Sequence, residues 1–155
     1  RKAMSLPKQP KSLLVIGSGA IGVEFAYVYA MMGTKVTIVE FLPRIVPVED
    51  EEVSKELEKI YKKKGLDIYT NSSVESVDTK GPVCKVQVKT PTGNITIDAE
   101  VVLSAAGVVT NLEGLGLEEA GVKTEKGKVL VDDFYKTNIA GVYAIGDIVK
   151  GPALA

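Results

Sequence analysis

The sequence Gly17-Ser18-Gly19-Ala20-Ile21-Gly22 spells G-x-G-x-x-G directly after an unbroken apolar run, Leu13-Leu14-Val15-Ile16. A short apolar run that ends in glycine marks a strand buried on both faces of a parallel sheet. From Ala20 to Met32 the apolar residues Ile21, Val23, Phe25, Ala26 and Tyr29 are interrupted mainly by Glu24, and Gly33 offers a helix stop. Lys35 to Glu40 (KVTIVE) is short and β-branched. Strand, helix and strand therefore make one βαβ unit with a right-handed crossover. In that setting each glycine has a task. Gly17 permits the tight turn, Gly19 lets the main chain approach a pyrophosphate, and Gly22 lets the helix pack closely on the strand. The anion would sit on free N–H groups at the positive end of the helix dipole.

Glycines also cluster in ordinary turns, so the motif gains weight from Glu40, which closes the second strand about 20 residues downstream. A carboxylate there can accept both hydroxyls of an adenine ribose and would repel a 2′-phosphate, which makes NAD the expected ligand over NADP. By itself Glu40 would read as a solvated strand end; the glycines in register favour the ribose role. Arg44 could clamp a 2′-phosphate, but with Glu49, Asp50, Glu51 and Glu52 close in sequence it reads as a surface ion pair. Glu24 suits the first turns of a helix on dipole grounds alone. Cys84 in an alternating strand reads as a small structural residue, and Phe25, Tyr27, Tyr29, Met31 and Met32 as helix packing.

Beyond the first unit, Asp50 can cap a helix through about Lys64, with Val53, Leu57 and Ile60 at helical spacing and Gly65 as its stop. Leu66 to Tyr69 reads as a third short strand. Val86 and Val88 then alternate with polar residues, Pro91 to Asn94 makes a turn, and Ile95 and Ile97 alternate again, the pattern of an antiparallel meander. Glu100 to Ala106 (EVVLSAA) returns to the buried-strand pattern and runs into Gly107; Lys128 to Val131 and Val142 to Ile145 read as two more strands. The expected fold class is α/β, a Rossmann-like doubly wound parallel sheet with an inserted antiparallel β-meander. Residues 1–11 read as a linker and 12–137 as an NAD-binding domain.

Composition narrows the function. With 19 basic against 20 acidic side chains the formal charge is -1, so no strong field would recruit nucleic acid or a membrane surface. No apolar run approaches membrane-spanning length. The 155 residues contain one cysteine and no histidine. That leaves no internal disulfide, no Ser-His or Cys-His pair, and none of the commonest metal ligand. A non-catalytic nucleotide-sensing module is one reading of such a chain. The start at Arg1, without an initiator methionine, reads as a piece of something longer.

The blocks VIGSGAIGVEFA, TIVE, SAAGVVTN and TNIAGVYAIGDIVKGPALA, in this order and spacing, resemble the flavin-dependent pyridine-nucleotide disulfide oxidoreductases. The GVE after the glycines, LGLEEAGV and the GPALA ending resemble in particular the dihydrolipoamide dehydrogenase branch. NADH oxidase, glutathione reductase and mercuric reductase are the alternatives within the family. The resemblance implies that Gly17, Ser18, Gly19, Ala20, Ile21, Gly22, Val23 and Glu24 wrap the NAD pyrophosphate and approach the nicotinamide, with Glu24 near that ring. It implies Glu40 for the ribose, Val74 for the adenine side and Gly107 for a contact from the opposite loop. Asp147 matches an aspartate that binds the flavin ribityl chain of FAD, and Ala153, Leu154 and Ala155 match a main-chain contact to the isoalloxazine. Residues 138–155 would begin the return into an FAD-binding domain. One departure stands out: Gly107-Val108-Val109-Thr110-Asn111 occupies the place of the family's Gly-Arg-x-Pro-Asn. The resemblance further implies FAD and dimerisation domains in the parent chain, a homodimer at full length, and a lipoyl-bearing subunit of a 2-oxoacid dehydrogenase complex as partner. It implies a cytoplasmic location, or the mitochondrial matrix in a eukaryote.

Overall fold

The apolar run before the glycines forms β1 (Ser12–Ile16). The computed structural model describes residues 2 to 151. After β1 come α1 (Ala20–Met31), β2 (Lys35–Val39), α2 (Glu51–Lys63) and β3 (Asp67–Tyr69). Three antiparallel strands follow, β4 (Ser73–Asp78), β5 (Cys84–Thr90) and β6 (Gly93–Ala99), and then β7 (Val101–Ser104). β1 pairs in parallel with both β2 and β7, and β2 with β3, so the parallel sheet has the order β3-β2-β1-β7. The meander β4-β5-β6 is inserted between β3 and β7. This is the α/β architecture, parallel sheet plus meander, that the sequence pattern predicts.

Side-chain alternation explains why the inner strands are apolar throughout. Leu13 and Val15 of β1, with Val36 and Ile38 of β2, pack against Val23, Ala26 and Tyr29 of α1 and Tyr61 of α2. The intervening Leu14 and Val39 face Val86, Val88 and Ala99 of the meander. Helices thus cover one face and the meander covers the other, and both parities must be hydrophobic. Within α2 the buried positions are Ser54 and Tyr61, with Leu57 half-buried beside the core. Val53 and Ile60, expected inward from their spacing, are exposed, because Tyr61 takes the place against α1. Asp50 caps this helix as expected, its carboxylate accepting from the Glu52 amide at 2.8 Å.

The chain divides into two units, the first ending at Gly107 and the second beginning at Val108. The division falls inside the 12–137 segment that sequence reading treats as one domain. The second unit holds a small hairpin, β8 (Thr124–Glu125) and β9 (Lys128–Val129), and its own core of Val122, Val129, Ala144 and Val149. The strand expected over Lys128 to Val131 is therefore shorter. Val142 to Ile145 does not form a strand at all: Tyr143 makes an isolated bridge to Lys136. The left-handed Gly141 (φ 77°) and Gly146 (φ 78°) turn the backbone on either side of it.

The Tyr61 hydroxyl donates to the Val23 carbonyl at 3.0 Å, fastening α2 to the first turn of α1. Burial holds its pKa above the ordinary 10.0, with Tyr27 and Glu24 adding to the effect. A raised pKa stabilises the fold fully below the unfolded value, and that contribution is lost as pH rises through the folded value. Tyr61→Phe is expected to cost about 1 kcal/mol at neutral pH and to lessen the stability loss above the tyrosine range. Urea denaturation of both proteins at neutral and alkaline pH measures the two effects.

Candidate functional site

Parallel strands present their carboxyl ends on one side, so the loops leaving β1, β2 and β7 converge there. They border a crevice of about 480 Å³, within the usual range for a ligand site. Its walls are Ile16 to Gly19, Val39 to Leu42, Pro47 and Val48, Ser72 to Val74, and Ala105 to Gly107. The sheet order reverses between β2-β1 and β7, and open α/β sheets bind ligands at such a switch point.

The three glycines of the first loop differ in what demands them. Gly17 has φ 92°, and a Cβ there would meet the Ala105 carbonyl oxygen at 2.7 Å. A Cβ on Gly22 would overlap the Gly17 carbonyl oxygen. Packing of the protein itself requires both. Gly19 has an ordinary φ of -64°, and a Cβ there would find nothing within 4 Å. It is also the N-cap of α1, with no side chain to cap the helix. The first intrahelical bond runs from the Val23 amide to the Gly19 carbonyl at 3.1 Å. The amides of Ala20, Ile21 and Gly22 therefore have no partner within the helix, at the positive end of its dipole.

Glu40 lies one residue past β2 and is only 6% exposed. Its Oε2 accepts from the Ser18 amide at 2.8 Å and from Ser18 Oγ at 2.6 Å, and its Oε1 accepts from the Leu42 amide at 2.8 Å. A buried carboxylate needs such partners. An ionised carboxylate offers roughly four acceptor positions; three are taken, so about one remains, on Oε1, for a hydroxyl group in the crevice.

The structure thus gathers Gly17, Ser18, Gly19, Glu40, Val74 and Gly107 around one crevice. Ala20, Ile21, Gly22 and Val23 form the first turn of α1. Glu24 follows them, exposed, and borders a separate groove with Phe25, Val28, Tyr29 and Met32. Asp147 belongs to the second unit, exposed in a 3-10 turn (Gly146–Ile148), where its main-chain carbonyl accepts from Lys128 Nζ. Ala153, Leu154 and Ala155 lie outside the described residues. Arg44 forms no salt bridge among the described residues, although its charge adds to that of Lys55 in holding the Glu51 carboxyl below its ordinary pKa. Its Nη2 donates to the Pro47 carbonyl at 3.1 Å and reaches the Glu49 carbonyl at 3.5 Å. Sequence reading also passed over Phe41, Leu42, Pro47, Val48, Ser72, Ser73, Ala105 and Ala106, all crevice walls. The available signal was topological: segments that leave a parallel sheet at its carboxyl edge must border the crevice there. Among the described residues no group of three or more His, Cys, Asp or Glu could hold a metal, and no helix is long and apolar enough to cross a membrane.

The chain is similar to known proteins along nearly its whole length. The family model for pyridine nucleotide-disulphide oxidoreductases matches residues 1–155. The dihydrolipoyl dehydrogenase of Rhizobium etli is 48% identical over 147 residues, 94% of this chain and 31% of the relative. The mitochondrial dihydrolipoyl dehydrogenase of Pisum sativum is 42% identical over 156 residues, 99% of this chain and 31% of the relative. Among solved structures, LpdA of Mycobacterium tuberculosis superposes with a TM-score of 0.85 at 32% identity, covering 96% of this chain and 32% of that one. The chain thus spans about a third of the length of these relatives. On a matching family model, sequence identity along nearly its whole length and a shared fold, the chain belongs to the pyridine nucleotide-disulphide oxidoreductase family.

Proposed function

We propose that this chain is the NAD-binding domain of a flavoprotein oxidoreductase of the dihydrolipoamide dehydrogenase type. The observation that carries the reading is Gly19. No protein atom explains its missing side chain, whereas a pyrophosphate resting on the amides of Ala20 to Gly22 does. Gly17, Ser18 and Gly19 form the phosphate loop, Glu40 accepts from an adenine ribose hydroxyl, Val74 lines the adenine side and Gly107 closes the crevice from the end of β7. Glu24 is assigned to the nicotinamide side on family resemblance, since it lies on α1 past this crevice.

NAD, when bound, supplies the hydride acceptor; the residues of this chain bind and orient it. In the parent protein the reaction is the oxidation of protein-bound dihydrolipoyl groups, with electrons passing through a disulfide and FAD to NAD. Asp147, Ala153, Leu154 and Ala155 would contribute to the FAD side. The parent chain would form a homodimer and serve a 2-oxoacid dehydrogenase complex, in the cytoplasm of a bacterium or the matrix of a mitochondrion. With one cysteine and no histidine, the 155-residue chain has neither a dithiol to cycle nor an imidazole to move its proton.

Three outcomes follow. In titration calorimetry the chain should bind NAD more tightly than NADP, and Glu40→Ala should weaken NAD by roughly 10- to 100-fold, as expected for charge-assisted hydrogen bonds of about 1.5–3 kcal/mol. Equal or tighter NADP binding contradicts the role of Glu40. Gly19→Ala should unfold at nearly the wild-type urea midpoint yet lose about tenfold or more in NAD affinity. Unchanged NAD binding in that variant removes the central support for the site. Finally, the chain alone should show no NAD-dependent oxidation of dihydrolipoamide in a spectrophotometric assay, and turnover by pure protein would reveal an unassigned site.

A further inference from the structure

The loop Phe41 to Glu49 forms one rim of the crevice through Pro47 and Val48, and the latter is 89% exposed. An exposed rim would ordinarily be loose, yet this one is anchored at its middle. Val46 is left-handed, with φ 41°, a rare conformation for a β-branched residue, which persists only where the surroundings over-determine it. It is also buried. Its amide donates to the Ser18 carbonyl at 2.9 Å, and its carbonyl accepts from the Glu49 amide at 3.0 Å. The preceding residue, Ile45, is wholly buried, and its carbonyl accepts from Ser54 Oγ of α2 at 2.6 Å. Arg44 completes the turn with its bond to the Pro47 carbonyl at 3.1 Å and its longer reach to Glu49. Its Nε is buried and makes no hydrogen bond. The guanidinium is therefore inserted into the loop and is not among the groups facing the crevice.

We propose that Arg44 is a positioning residue for the nucleotide: by locking the Pro47–Glu49 turn it holds Val46 in its left-handed conformation, and Val46 in turn fixes the Ser18 carbonyl of the phosphate loop. This rests on the NAD-binding reading above. Both sides of Ser18 are then held by the segment after β2, the amide and hydroxyl by Glu40 and the carbonyl by Val46. A rim set before the ligand arrives removes an ordering cost from binding. The same arrangement commits the guanidinium to main-chain carbonyls, which leaves no cation at the rim for a 2′-phosphate and reinforces the preference set by Glu40.

The test compares wild type with Arg44→Met by calorimetry with NAD and NADP, at low and high salt, and by amide hydrogen exchange of the unliganded proteins. The expected result is about tenfold weaker NAD binding, an unchanged NAD-to-NADP ratio, and faster exchange of the Val46 amide while the amides of β1 and β2 exchange as before. NAD affinity equal to wild type overturns the proposal. So does a loss confined to NADP or abolished by salt, because it would place Arg44 on the ligand itself. If Arg44→Met does not fold, Arg44→Gln decides by the same comparison: its polar side chain ends near the place of the arginine Nε and does not reach the two carbonyls that Nη2 serves, and wild-type NAD affinity in that variant overturns the proposal. A wild-type chain that binds no NAD overturns the nucleotide reading itself, an outcome distinct from a wild type and a variant that bind equally.

Discussion

The carboxylate of Glu40 is the joint on which the ligand end of this structure depends. It is buried at the end of β2 and bonded to the amide and hydroxyl of Ser18 and the amide of Leu42. A charge in that position must be solvated by the protein, and the groups that solvate it are those of the neighbouring loop. The parallel pairing of Ile16 with Val39 and Ser104 makes this possible, because it brings three strand ends level. One side chain therefore sets the distance between the glycine loop after β1 and the segment that leaves β2.

The rest of the first unit serves to hold those strand ends. Leu14 and Val15, neighbours in sequence, are both wholly buried, one toward the meander and the other toward the helices. Loss of either packing face would free the end of β1 and with it Gly17, whose turn runs so close to the Ala105 carbonyl that a Cβ would meet it at 2.7 Å. Core packing and the geometry of the crevice are in this sense one problem, and truncations such as Leu14→Ala, which typically cost about 2–5 kcal/mol in a tight core, would be felt at the site.

Much of this was legible in the sequence. β1, α1 and β2 were readable because buried parallel strands are continuously apolar and the glycines punctuate them. Glu40 was readable because its spacing from the glycines follows from one helix and one strand. β4 was not: a register shift between Val74 and Ser76 breaks its alternation, so Val74 and Val77 stand three apart and mimic no strand. The inward face of α2 was misread because Val53, Leu57 and Ile60 fit a helical stripe as well as Ser54, Leu57 and Tyr61 do. A tyrosine that buries its ring and bonds its hydroxyl outcompeted two aliphatic residues. The rim was hidden for another reason. That Arg44 bonds its own loop and Val46 is left-handed are consequences of tertiary contacts with Ser18 and Ser54, which no local pattern records.

The most direct test of the account is a nitrogen-proton correlation NMR titration of the chain with NAD. If the pyrophosphate rests on the start of α1 and the ribose on Glu40, saturable shifts should be largest at the amides of Gly17 to Gly22, Leu42 and Gly107, with the hairpin Thr124–Val129 unmoved. Saturable shifts centred on the second unit, or on the groove beside Val28 and Met32 with the glycine loop unchanged, would contradict it.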